Sequence, residues 1–269
     1  MKLTVLVDNH TYIDRYYLGE PAVCYLIEDG AHVILLDVGY SDVFTENAAR
    51  MGIDLGRVTD IVLSHGHNDH TGGLAAFLER FPQEICLFAH PNALLPKRAE
   101  GLSIGSALSI ADLPDRVHLR LVTKPHPVSE HVMMLGEIPR IYDFEQDRAV
   151  GETQSACGCC WEEDALMDDT SLALSLPDGV FVVTGCAHAG ICNTVAHAKA
   201  VSAQARVLGV LGGFHLFDAG EALRKTIATL QALGTERVYP AHCTSLAVKS
   251  AFFSAIETHE VGVGLTLEW

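Results

Sequence analysis

Three times in this chain an apolar run that reads as a β-strand ends in histidine and hands over to a helical stretch. VTDIVLSH precedes GGLAAFLERF, VVTGCAHAG precedes ICNTVAHAKAVSAQ, and VYPAHCTS precedes LAVKSAFFSAIE. A strand exit is where backbone constraints relax and side chains from different loops can converge. Strands alternating with helices give a layered α/β fold, and exits from one sheet can meet along a common edge. The strands KLTVLV, AVCYLIE and HVILLDVG open the chain, the last two joined by the turn DGA, which predicts antiparallel pairing before the alternation begins.

The remaining elements follow the same rhythm. A helix is expected near DVFTENAARMG and strands at EICLFAH, VMMLGEIP, LALSLPDGVFVVTG and RVLGVLGG, then helix GEALRKTIATLQALG and strand ERVYP. Residues 91–127, rich in proline and glycine, read as irregular, and with the segment around Trp161 they are expected to cover an active site. No composition shift marks a boundary, so a single domain over residues 1–269 is expected.

Charge narrows the partners. With 18 Lys and Arg against 34 Asp and Glu the formal charge is −16, and the longest cationic cluster is the pair Lys97–Arg98. Such a surface repels nucleic acid and anionic membranes, leaving a small-molecule substrate as the expected partner. The N-terminal MKLTVLVDNH lacks the features of a signal peptide and no apolar run is long enough to span a bilayer, so a cytoplasmic location is expected. The eight cysteines then read as reduced thiols or metal ligands. Oligomeric state is left open.

The stretch SHGHNDHTGG, residues 64–73, places His65, His67, Asp69 and His70 within six positions after a strand. Imidazole nitrogen suits zinc and similar borderline metals, and a carboxylate neutralises charge, so this loop can begin two adjacent metal sites. Cys186 and His188 in VVTGCAHAG, and His242 in VYPAHCTS, are available to complete them. The plainer reading is a polar loop whose histidines act as caps and surface residues.

HGHNDH resembles the His-x-His-x-Asp-His signature of the metallo-β-lactamase superfamily, and ILLDVG resembles the Asp-bearing strand end found there. DDTSLAL, VVTGCAHAG, GGFHL and PAHCTS are most similar to its branch of dihydropterin-ribofuranosyl-aminobenzene-phosphate synthase-like proteins. The resemblance implies a four-layer αββα sandwich with a binuclear metal site. His65, His67 and His188 would bind one metal, and Asp69, His70 and His242 the other. Zinc is the first expectation, and the same donors accept iron or manganese.

The usual third His and bridging Asp are missing from their places. The loop offers Asp168 and Asp169, and the turn is Thr184–Gly185–Cys186. His188 is then either a displaced ligand or a support for the ligands, and Cys186 either takes the bridging place or is a buried thiol. Metal coordination lowers the pKa of bound water from 15.7 toward ~7. The implied activity is hydrolysis of an ester, phosphoester or related bond by the hydroxide so formed, with Asp69 orienting it and passing its proton to the leaving group. The alternatives are a metal-containing binding or sensor protein with little turnover, or a synthase acting on a pterin-type phosphate precursor. Retention of His67 argues against the redox members, which usually carry Glu there.

His215, beside two glycines in GGFHLFD, is a candidate for contact with substrate. His90 reads as ordinary loop packing. CGCC, residues 157–160, lacks the paired Cys-x-x-Cys spacing of a zinc or iron–sulfur site, and reads as a loop with exposed thiols.

Overall fold

The antiparallel opening is realised as one half of a seven-stranded sheet. In the computed structural model, which describes residues 1–145, 149–155 and 157–269, Lys2–Val7 (β1), Cys24–Asp29 (β2) and His32–Leu36 (β3) pair antiparallel in turn. Gly30 makes the tight link between β2 and β3 at φ +60°, a backbone conformation that glycine adopts without steric cost. From β3 onward the pairing turns parallel, so each return needs a crossover. Val43–Arg50 (α1) leads to Asp60–Val62 (β4), and Asn68–Thr71 (α2) and Leu74–Arg80 (α3) lead to Ile85–Ala89 (β5).

Lys97–Ala99 (β6) and Leu102–Ser103 (β7) leave this sheet before Val117–Leu121 (β8) rejoins it beside β5. They form a four-stranded sheet with Glu152–Gln154 (β11) and Trp161–Glu163 (β12), in the order β12-β11-β6-β7. The expectation of an irregular 91–127 therefore misses four strands, β6, β7, β8 and the two-residue strand His126–Pro127. β8 has only Val117 buried, so it lacks the apolar signal of a core strand. Thr266–Glu268 (β18), also largely exposed, completes the large sheet beside β1 in the order β18-β1-β2-β3-β4-β5-β8. Both of these sheets belong to one compact unit, residues 1–123, 149–168 and 262–269. Its core joins Leu26, Leu35, Ile61 and Leu87 of the sheet to Phe44 and Phe77 of the helices, whose rings stack with centroids 6.4 Å apart. Each such side chain contributes about 1.5–3 kcal/mol on burial.

The second unit, residues 124–148 and 169–261, is built on its own seven-stranded sheet. His126–Pro127 (β9), Val132–Met134 (β10), Ser171–Leu176 (β13) and Gly179–Thr184 (β14) run antiparallel, so LALSLPDGVFVVTG is a hairpin turning at its Pro-Asp-Gly. Val207–Gly213 (β15), Arg237–Ala241 (β16) and Glu257–Thr258 (β17) then add in parallel. Ile191–Ser202 (α4), Glu221–Ala232 (α5) and Leu246–Phe253 (α6) are the crossovers. Their apolar faces meet Val180, Val182, Val210 and Val238, and Phe214 meets Phe252 edge to face at 5.5 Å.

The three histidine-bearing exits therefore come from two sheets, one from the first and two from the second, where exits of a single sheet were expected. In each case the histidine follows the C-terminal end of a parallel strand, the end of an open α/β sheet at which ligands bind. No helix among the described residues is long and apolar enough to cross a membrane.

Candidate metal centre

In the first unit, β4 delivers the chain into SHGHNDH, and α2 begins immediately after His67. Thr71 closes the turn, its amide and its hydroxyl both bonding to His67 O at 3.0 Å. This compact turn gathers three imidazoles: the His65 ring lies 4.6 Å from His67 and 4.2 Å from His70, centroid to centroid. His65 and His70 are fully buried and His67 is 8% exposed, while the Asp69 side chain is 27% exposed. Asp69 Oδ2 stands 3.6 Å from His70 Nε2.

One buried carboxylate fixes the orientation of two of these rings. Asp37, just past β3, accepts Ser64 N on Oδ1 at 2.7 Å, and on Oδ2 it accepts Ser64 Oγ and His70 Nδ1, each at 2.7 Å. Because the Ser64 hydroxyl donates to Asp37, its oxygen is left to accept from His65 Nδ1 at 3.0 Å. Both histidines therefore carry their proton on Nδ1 and present Nε2 with its lone pair, the tautomer that a metal requires. Burial lowers the His67 imidazole from 6.5 to about 4, with Asp69 opposing and the Lys97 ammonium adding to the effect. His67 is therefore a neutral imidazole at physiological pH, the form that binds a divalent cation.

The loop is clasped from below. Asp168 Oδ2 accepts the Gly66 amide at 2.8 Å, and its Oδ1 lies 3.2 Å from Lys97 Nζ, which also meets Asp164 Oδ2 at 2.5 Å. All three side chains are buried. Gly66 itself is required, since a Cβ there would run into the Ala93 carbonyl and Lys97 Cε. From the 91–127 segment, Gly105 forms a bridge with His67, and Ile104 O accepts the Asn68 amide at 2.8 Å.

In the second unit, Cys186 and His188 lie beyond β14, His215 beyond β15, and His242 beyond β16. Cys186 Sγ is within 4.8 Å of a ring nitrogen of His188 and of one of His242, so the sulfur is central to this donor group. Cys186 and His188 are buried and His242 is 9% exposed. The His215 ring packs on His188 with centroids 4.3 Å apart and is only half-buried. Its amide donates to Cys243 Sγ at 3.3 Å, which ties the β15 exit to the β16 exit. Asp169 Oδ2 accepts the Ala189 amide at 2.8 Å, beside His188.

The two aspartates at the place of the missing third His thus both bind backbone, Asp168 under His65 and His67 and Asp169 beside His188. Sequence reading noticed Asp37 only through the strand-end resemblance, and it missed the Lys97–Asp164 pair altogether. His90 accepts the Asn92 amide at 3.1 Å, an ordinary loop contact. CGCC occupies the exposed turn between β11 and β12 as expected, but Cys157 and Cys159 are disulfide-bonded rather than reduced. Gly158, at φ +71°, folds the turn so that their Cα atoms come to 5.4 Å, inside the range a disulfide spans.

Residues 18–140 match the model of the metallo-beta-lactamase superfamily. Among curated proteins, the chain is 28% identical over 266 residues to a 7,8-dihydropterin-6-methyl-4-(beta-D-ribofuranosyl)-aminobenzene-5'-phosphate synthase of Methanocaldococcus jannaschii, covering 94% of this chain and 90% of that one. It is 27% identical over 145 residues to a hydroxyacylglutathione hydrolase of Nitrosomonas europaea, covering 52% of this chain and 50% of that protein. Among solved structures, Tm1679, described as a metal-dependent hydrolase of the beta-lactamase superfamily, superposes with TM-score 0.85 at 26% identity, covering 100% of this chain and 99% of that one.

Proposed function

Residues 18–140 belong to the metallo-β-lactamase superfamily and the whole chain carries that fold, and on this basis we propose that the protein is a metal-dependent hydrolase acting on a small molecule. His65, His67 and His188 would hold one divalent cation and Asp69, His70 and His242 a second, with Cys186 as the shared ligand. The observation that carries this reading is the hydrogen-bonded chain His65–Ser64–Asp37–His70, which spends both Nδ1 protons and leaves both Nε2 atoms as donors. The position of Cys186 Sγ, within 4.8 Å of donors on both His188 and His242, supports its shared role. Two such cations supply Lewis acidity at the scissile group and lower the pKa of a coordinated water.

The chain's own residues do the rest. Asp69, the least buried of the HGHNDH donors, has a carboxylate oxygen that can orient the attacking water and carry its proton to the leaving group. His215, half-buried beside His188, has a ring placed to hydrogen-bond a polar group of the substrate. The bond cleaved is an ester, thioester or phosphoester, thioesters joining the set because the N. europaea relative is named a hydroxyacylglutathione hydrolase.

The test is metal content by elemental mass spectrometry on tag-free protein, followed by turnover of generic esters, thioesters and phosphodiesters. About two metals per chain, lost together in His67→Ala or His242→Ala, with chelator-sensitive hydrolysis, is the expected result. A folded protein that hydrolyses these substrates at full rate without metal refutes it. The name of the M. jannaschii relative favours a second reading, bond formation on a pterin-type phosphate, and metal-loaded protein that condenses such a precursor but hydrolyses none of the panel would establish that reading instead.

A further inference from the structure

The CGCC turn takes no part in the histidine loops. It sits where β11 and β12 are paired through Gln154 and Trp161, with Ser155 N donating to Cys160 O at 2.9 Å, and Cys157, Cys159 and Cys160 are all exposed. Arg98 lies over the Trp161 ring at 4.1 Å, which pins the base of the hairpin. Cys157 and Cys159 form a disulfide across one residue. A free thiol lies against that bond, Cys160 Sγ being 3.9 Å from Cys159 Sγ. One hydroxyl serves all three sulfurs: Ser155 Oγ is 3.2 Å from Cys157 Sγ, 3.8 Å from Cys159 Sγ and 3.2 Å from Cys160 Sγ.

A disulfide that only braces a fold is sheltered from nucleophiles, because a neighbouring thiolate attacks and reshuffles it. Here the opposite arrangement is built into four consecutive residues. We propose that this turn is a thiol–disulfide exchange site for low-molecular-weight thiols and disulfides, with Cys157 and Cys159 as the exchanging pair.

In the oxidising direction the Cys159 thiolate attacks a small disulfide RSSR, forming Cys159–S–SR and releasing RS⁻. The Cys157 thiolate then attacks the Cys159 sulfur, closing the Cys157–Cys159 bond and releasing the second RS⁻. The protein gives up two electrons and two protons, and RSSR receives them as two RSH. Ser155 Oγ–H is within reach of whichever protein sulfur carries negative charge. Cys160 supplies a second nucleophile beside Cys159: its thiolate attacks Cys159 Sγ, forming a Cys159–Cys160 bond and releasing Cys157 as the thiolate, with no net change in oxidation state.

The full chain is equilibrated in mixtures of reduced and oxidised glutathione, acid-quenched, alkylated and digested, and the peptide bearing CGCC is weighed. The expected result is a fraction two hydrogens lighter that rises with the oxidised share, its alkylatable thiols falling from three to the one of Cys160. Cys160→Ser keeps the two-hydrogen loss, which assigns it to Cys157 and Cys159, but slows its approach to equilibrium. Three alkylated thiols at every glutathione ratio overturn the proposal. So does protection that a chelator removes without any change in mass, which would mark a thiolate metal site, and so does the absence of a two-hydrogen loss in Cys160→Ser.

Discussion

Replacing Lys97 with Met isolates the value of the clasp beneath the HGHNDH loop. Lys97 is 1% exposed, and its ammonium is shared between Asp164 Oδ2 at 2.5 Å and Asp168 Oδ1 at 3.2 Å, carboxylates that are themselves 3% and 1% exposed. Met keeps the volume and much of the aliphatic packing of lysine but leaves two buried negative charges without their cation. Removing one partner of a buried pair costs about 3–5 kcal/mol. For a chain of this size 1 kcal/mol moves Tm by about 2–4 °C, so K97M should melt roughly 6–20 °C lower. Thermal and denaturant unfolding of metal-free protein at neutral pH measures this. The triple variant Lys97→Met, Asp164→Asn, Asp168→Asn, with no charge left to strand, should recover most of the loss. A K97M protein within about 1 kcal/mol of wild type, or a triple variant no better than the single, would refute the electrostatic account.

Asp37→Asn keeps the shape and tolerates the φ of +59° at that position, but its amide nitrogen cannot accept the His70 Nδ1 proton. Metal affinity should fall about 10–100-fold in competition titrations with little change in fold, and unchanged affinity would remove Asp37 from the ligand-orienting role. His67 titrates near 6.5 in the unfolded chain and at about 4 in the folded one, so the unfolded state takes up the proton first as pH falls. Metal-free protein should therefore lose about 3 kcal/mol between pH 6.5 and 4, and His67→Gln should flatten that slope in pH-dependent denaturant titrations. Glu145, 1% exposed, accepts the amides of Cys192 and Asn193 at the start of α4 at 3.0 and 2.9 Å. Glu145→Ala strands both donors and should cost about 2–4 kcal/mol, read from the denaturant midpoint; a loss below 0.5 kcal/mol would show that water replaces the carboxylate.

The donor loop was legible because its ligands are local: His65, His67, Asp69 and His70 sit within one turn, after a strand whose apolar run is unmistakable. The strand–helix alternation was legible for the same reason, each crossover carrying its own apolar face. What stayed hidden depends on partners far apart in the chain. In the sequence Lys97 is half of the longest cationic cluster, yet its carboxylates come from 67 and 71 residues downstream. β8 and β18 owe their place to backbone pairing beside stronger strands, so their exposed residues show no alternation that a window of sequence would detect. The disulfide at CGCC contradicts an inference drawn from presumed compartment, a weaker guide than the geometry of a one-residue turn.

Backbone strain accompanies four of the strand ends beside these side chains. Asp37, Ala187, His215 and His242 adopt left-handed φ values of 59°, 43°, 48° and 43°, each within three residues of the end of β3, β14, β15 or β16. Non-glycine residues pay of order 1–3 kcal/mol for such conformations, so they persist only where neighbours hold them. Here the holds are visible: Asp37 N on Val62 O at 2.9 Å, Ala187 N on Thr184 Oγ1 at 3.2 Å, His215 N on Cys243 Sγ at 3.3 Å. An unstrained strand would run on for another residue or two, about 3.3 Å each, and carry its donor past the sheet edge. The sharp left-handed turn stops the chain there instead, and the two sheets invest core stability in keeping it stopped.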